Sequence, residues 1–129
     1  MRVANLAILL LFPIILSGCF ESSEELSSEG AELVNFKRDF KGAKGLFKRA
    51  IELDEKNAKA HKNLAYCLAK EKKIKEAIEH LEKAVEIDPN YGDAHINLSL
   101  LHYLEENYDA AVKHCDLAVD AGFPVDLRY

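Results

Sequence analysis

The feature that narrows the fold most is a period of 34 residues. At that offset Ala43, Ala77 and Ala111 fall into line, as do Ala50, Ala84 and Ala118. The larger apolar residues keep the same register: Phe40, Ile74 and Tyr108; Phe47, Leu81 and Cys115; Ile51, Val85 and Val119. The segments AIELDEKN and AVEIDPNY are one element written twice. A unit this short cannot bury its apolar face alone, so several must stack, and about three are needed for stability. The chain has room for three, at about 24–57, 58–91 and 92–124.

Each unit reads as two helices. In 58–91, Leu64, Ala65, Leu68 and Ala69 make one apolar stripe at helical spacing, and Ile74, Ala77, Ile78, Leu81, Ala84 and Val85 make a second. Asp88-Pro89-Asn90 ends the second helix, because proline cannot continue it. Alanine at fixed positions lets two helix backbones approach closely, while bulky neighbours fill the grooves beside them.

The period, the paired helices and the residues Leu64-Ala65, Leu68, Ala77, Leu81, Ala84 and Pro89 together resemble the tetratricopeptide repeat. The resemblance implies an all-α, right-handed solenoid of three helix-turn-helix units. Its usual tryptophan-type position holds Ser27, His61 and His95 here, and the glycine between helices is replaced by Arg38, Lys72 and Glu106. The first helix of unit one is poor by this standard, with Ser27, Ser28 and Gly30 where large residues are usual.

The N-terminal segment is an address rather than part of the fold. After Arg2, residues 3–16 are almost wholly apolar. As a helix those residues span about 21 Å, short of a ~30 Å hydrocarbon core, which is the layout of a secretory signal and not of a membrane span. Leu16-Ser17-Gly18-Cys19 resembles the lipobox of bacterial lipoproteins. That resemblance implies a signal peptide at 1–18, cleavage before Cys19, lipidation of Cys19 and a tether at 19–25. The repeat domain then runs over 26–124, with a tail at 125–129. With Phe20 rather than aspartate after the cysteine, the resemblance favours the periplasmic face of the outer membrane in a Gram-negative cell.

The rest of the sequence speaks against chemistry. There is no glycine-rich phosphate loop, nucleophile elbow, HExxH or CxxC. His61 and His95 are expected to replace a bulky packing residue, His80 and His114 to face solvent, and His102 to leave its core partly polar. Neither 34-residue pair has local ligand spacing, so no metal is expected. Cys67 and Cys115 fall on packing faces at different repeat positions and read as unpaired thiols. No catalytic residue and no cofactor beyond the lipid are expected, and the chain is not read as an enzyme.

The net charge of −5 offers no overall basic footprint for nucleic acid. Charge is nevertheless segregated: 37–75 carries 13 bases against five acids, between acidic segments on either side. That belt reads as solvated helix surface with pairs such as Glu79–Lys83, as a patch for acidic headgroups, or as part of a binding face. In the resembled family the concave face is lined by the first helix of each unit. Carried over, Lys59, Lys62, Asn63 and Tyr66 of unit two and Ile96, Asn97, Leu100 and Tyr103 of unit three form a groove for an envelope protein or peptide segment. A homodimer sealed through the last unit is the alternative.

The lipobox reading makes a direct prediction. The intact native protein should start at Cys19 with added acyl mass and fractionate with membranes, and Cys19→Ala should release it. A chain retaining residues 1–18 contradicts the reading.

Overall fold

The computed structural model describes residues 21–124; the expected signal peptide at 1–18, Cys19 and the expected tail at 125–129 lie outside the described residues. Among the described residues six α-helices follow one another: α1 (Ser23–Glu32), α2 (Phe40–Leu53), α3 (Ala58–Lys70), α4 (Ile74–Ile87), α5 (Gly92–Leu104) and α6 (Tyr108–Asp120). There is no strand among the described residues. Each helix packs on its neighbours in sequence, α1 with α2, α3 with α4 and α5 with α6, and the pairs stack through α2·α3 and α4·α5. This is an all-α tandem-repeat solenoid. No described helix is long and apolar enough to cross a membrane.

The aligned alanines are where the helices meet. Ala43, Ala50, Ala77, Ala84 and Ala118 are fully buried and Ala111 nearly so. Phe47, Leu64, Leu81 and Leu98 fill the space between them. Burial thins along the repeat: Ile51 and Val85 are half-buried, while their counterpart Val119 is exposed.

Helix boundaries follow local chemistry. Ser22 caps α1 in a reciprocal box, its hydroxyl accepting from the Glu25 N–H at 3.1 Å while its own N–H donates to the Glu25 carboxylate at 3.0 Å. Residues 23–25, read as tether, are therefore helical. Asp39, Asn57 and Asn107 accept from N–H groups three residues on and start α2, α3 and α6. Arg38, Lys72 and Glu106, at the family's glycine position, have φ of 52°, 62° and 60°. After α3 the Lys73 N–H returns to the Leu68 carbonyl and the Lys72 N–H to Ala69, a Schellman closure that needs this left-handed residue.

Unit one departs from the expectation of a weak first helix, because its small residues have partners. The Ser23 hydroxyl donates to the Ala50 carbonyl at 2.8 Å, and the Asn57 amide donates to the Ser23 and Ser27 hydroxyls at 2.7 and 3.1 Å. Serine thus replaces bulk with a hydrogen-bonded seam that ties unit one to the start of unit two. Gly30 lies under the Phe47 ring. The chain then widens into a π-helical turn at Leu33–Lys37 before Arg38 reverses it.

Two substitutions test these points by thermal or denaturant unfolding of the full chain. Gly30→Ala places a Cβ 2.6 Å from Phe47 Cε1, on a fully buried ring that cannot yield. Glycine to alanine inside a helix ordinarily gains up to ~1 kcal/mol, but overpacking here should cost about 1–3 kcal/mol. Lys72→Gly relieves the left-handed strain and should stabilise by up to ~1 kcal/mol. A stabilised Gly30→Ala or a destabilised Lys72→Gly contradicts the packing described.

Candidate functional site: an apolar groove and a histidine cleft

Two adjoining hollows run along the first helices of the units. One, about 390 Å³, lies between the π-turn and α3 and is lined by Val34, Asn35, Lys59, Lys62, Asn63 and Tyr66. The other, about 230 Å³, lies between α3 and α5 and is lined by Tyr66, Ala69, Lys70, Ile74, Asn97, Leu100 and Leu104. Tyr66 forms the shared wall. Of the sequence-derived groove residues, Lys59, Lys62, Asn63 and Tyr66 meet in the first hollow, and Tyr66, Asn97 and Leu100 in the second.

Ile96 and Tyr103 line neither hollow. Ile96 is half-buried, and the Tyr103 ring packs edge-on against Tyr108 of α6, with centroids 5.5 Å apart. Leu100 and Leu104 are 57% and 58% exposed, more than an internal packing role allows. Lys70 and Leu104 complete the second hollow, and the Lys70 amine sits 5.2 Å above the Tyr66 ring as a cation–π pair.

The two groove lysines differ. Lys59 is exposed. Lys62 is half-buried, 3.9 Å from the Asp93 carboxylate and 5.6 Å from the Tyr91 ring centre. Burial pulls its pKa below the usual lysine value, with Asp93 opposing. Lys62 therefore ties unit two to unit three, and Lys59 is the freer cation.

The basic belt is partly spent on ion pairs between elements. Lys44 bonds Glu71, Lys73 lies 3.6 Å from Glu71, and Arg49 lies 2.9 Å from Glu21. Glu79–Lys83 is not among the ion pairs of the described residues, and Lys83 instead lines a further cleft.

That cleft, about 650 Å³, is lined by His61 and His80, and the pairing of histidines in units two and three corrects the expectation for them. His80 and His114 do not simply face solvent; both are half-buried and turn towards the first helix of their unit. His61 and His80 bring Nδ1 to Nδ1 at 3.1 Å, and His95 and His114 do the same at 3.1 Å. The His61 Nε2 lies 3.1 Å from the Glu55 carbonyl and the His95 Nε2 lies 2.8 Å from the Pro89 carbonyl. A carbonyl only accepts, so these Nε2 atoms carry protons, the His61 and His95 Nδ1 atoms accept, and His80 and His114 donate. His102 stacks on His114, with rings 5.5 Å apart and 3° from parallel, so a third imidazole joins unit three. The sequence carried one signal for this pairing, the same 19-residue spacing within each of the two units.

The walls of the cleft beside His61 and His80 are Glu55, Glu86, Lys56 and Lys83, over Ile51 and Ile87. Burial lowers the pKa of His61 and His80, and for His114 burial together with His95 and His102 lowers it to about 4. Cys67 is buried and Cys115 half-buried, and no disulfide forms among the described residues. Burial pushes the Cys67 thiol up to about 11, which leaves it unreactive.

An open row of paired helices, with a hollow between successive first helices and no buried constellation of reactive groups among the described residues, defines a repeat protein that offers a surface. The particular family follows from comparison with known proteins. The tetratricopeptide repeat model matches residues 58–91. The chain is 30% identical to the TPR2B domain of yeast Sti1, solved as a complex with pHsp70, covering 77% of this chain and 78% of that one with a TM-score of 0.72. It therefore belongs to the tetratricopeptide repeat family. It is also similar to MamA (25% identity, TM-score 0.72) and to YrrB, described as a TPR protein with an unusual peptide-binding site (29% identity, TM-score 0.69). Those matches cover 78% and 82% of this chain but only 58% and 54% of the relatives. No curated protein matches the sequence significantly.

The neutral histidines predict acid sensitivity. An unfolded chain takes up protons at histidine below about pH 6.5, whereas His114 resists until about 4, so the unfolded state binds more protons and stability falls with falling pH across that window. Thermal midpoints should drop between pH 7.5 and pH 5, and His114→Gln should flatten the slope. An unchanged midpoint contradicts the arrangement.

Proposed function

We propose that this chain is a non-enzymatic, membrane-anchored scaffold that holds a segment of another envelope protein in its groove. The observation that carries the reading is the second hollow. Tyr66, Leu100 and Leu104 are exposed apolar residues lining one concavity, rimmed by Lys70 and Asn97. An apolar strip inside a polar rim is the form of an interaction site. Relatives described by a peptide-binding site and by a complex with pHsp70 support a peptide-like occupant. Affinity comes from apolar burial on Leu100 and Tyr66, while Lys59 and Lys70 set polarity and register.

The lipobox supplies the setting. A lipid on Cys19 keeps the solenoid at the bilayer surface, at the outer membrane's periplasmic face in a Gram-negative cell, where it assists assembly of an envelope complex of the pilus or secretin kind. A second reading is self-association through the last unit. It is favoured by the exposed Tyr108, Val112 and Val119 of α6.

Two measurements separate the readings. A photo-crosslinking residue at position 66 should capture a protein partner in native membranes. Leu100→Asp should abolish that capture while leaving the helical signal intact. Retained capture refutes the groove, and loss of helix shows that Leu100 serves packing instead. Sedimentation of the full chain in detergent should show a monomer, and a dimer supports the second reading.

A further inference from the structure

We propose that His61 and His80 chelate a borderline divalent transition-metal ion, Cu²⁺ ahead of Ni²⁺ and Zn²⁺, through their Nδ1 atoms. The spacing of the two donors is set before any ion arrives. The two Nδ1 atoms are 3.1 Å apart. An ion at ~2.05 Å from each would subtend about 100°, between square-planar and tetrahedral angles. The His61 ring is already oriented by its Nε2–H donating to the Glu55 carbonyl at 3.1 Å. A backbone carbonyl on the far nitrogen is the partner that metal-bound histidines ordinarily have.

Binding needs each ring to tilt so that its Nδ1 lone pair turns off the N···N line towards the ion, and it needs one tautomer shift. His80 moves its proton from Nδ1 to Nε2, so that both Nδ1 atoms present lone pairs; with both rings neutral, no proton is released. The ion then replaces the N–H···N hydrogen bond as the link between α3 and α4.

The absence of local ligand spacing spoke against a metal because it considered single helices. These ligands come from two helices, 19 residues apart in sequence. No group of three or more ligating side chains converges among the described residues, so water from the cleft completes the coordination shell. The cleft accommodates it, with about 650 Å³ beside the pair. Its charged walls are balanced, Lys56 and Lys83 against Glu55 and Glu86, so they neither gather nor repel cations as a set. Selectivity therefore rests on imidazole nitrogen, which favours copper, nickel and zinc over magnesium and calcium.

The test uses the full chain without a histidine tag, titrated with Cu²⁺, Ni²⁺, Zn²⁺ and Mg²⁺ while heat of binding and thermal midpoint are read. The first three should bind and raise the midpoint by about 3–5 °C at saturation, reversed by chelator, and Mg²⁺ should do nothing. His80→Gln keeps a donor for the His61 Nδ1 but removes a ligand, and it should abolish the ion bound at this site and its midpoint shift. His114→Gln should retain both. Because His95 and His114 share this spacing, His80→Gln is also read in the His114→Gln background. No shift in the wild type, a shift in the double variant equal to that of His114→Gln alone, or an equal response to Mg²⁺ overturns the assignment.

Discussion

The structure depends on the close approach of helix backbones at two alanine positions per unit. Ala43, Ala77 and Ala111, and Ala50, Ala84 and Ala118, are buried to within a few per cent of completely. A side chain one methylene larger at any of them would push two helices apart, and because the units stack, the error would pass to the next joint. Phe47, Leu81 and Leu98 then have fixed volumes to fill. The groove is built on this frame: Tyr66 of α3 and Leu100 of α5 line one hollow.

Around this apolar frame, polar joints make the units specific. Asn57 bonds Ser23 and Ser27 between units one and two, Lys62 lies between Asp93 and Tyr91 at the next joint, and a histidine pair bolts each of units two and three internally. Each adds a polar contact to the apolar packing of its joint. The left-handed residues Arg38, Lys72 and Glu106 carry a small strain that the repeat tolerates because the chain must reverse there.

The period and both helices of units two and three were legible in the sequence, because they depend on spacing along one helix, while the placing of groove residues on first helices came from the family resemblance. What was not legible depends on contacts between helices. Ser27 and Gly30 looked like weaknesses because their partners, Asn57 and Phe47, lie in other elements. His80 and His114 looked solvent-facing because helical periodicity says nothing of a carbonyl that orients an imidazole on the neighbouring helix. Tyr103 read as a groove residue because its packing against Tyr108 joins two helices. The Lys62 ion pair with Asp93 was hidden for the same reason.

The central claim is that the face shared by α3 and α5 receives a partner segment. The most direct measurement is amide chemical-shift mapping of the isotope-labelled full chain against the partner segment recovered by crosslinking. The account predicts perturbations centred on Asn63, Tyr66, Lys70, Asn97 and Leu100. Perturbations centred instead on the histidine cleft or on the outer face of α6 would contradict it.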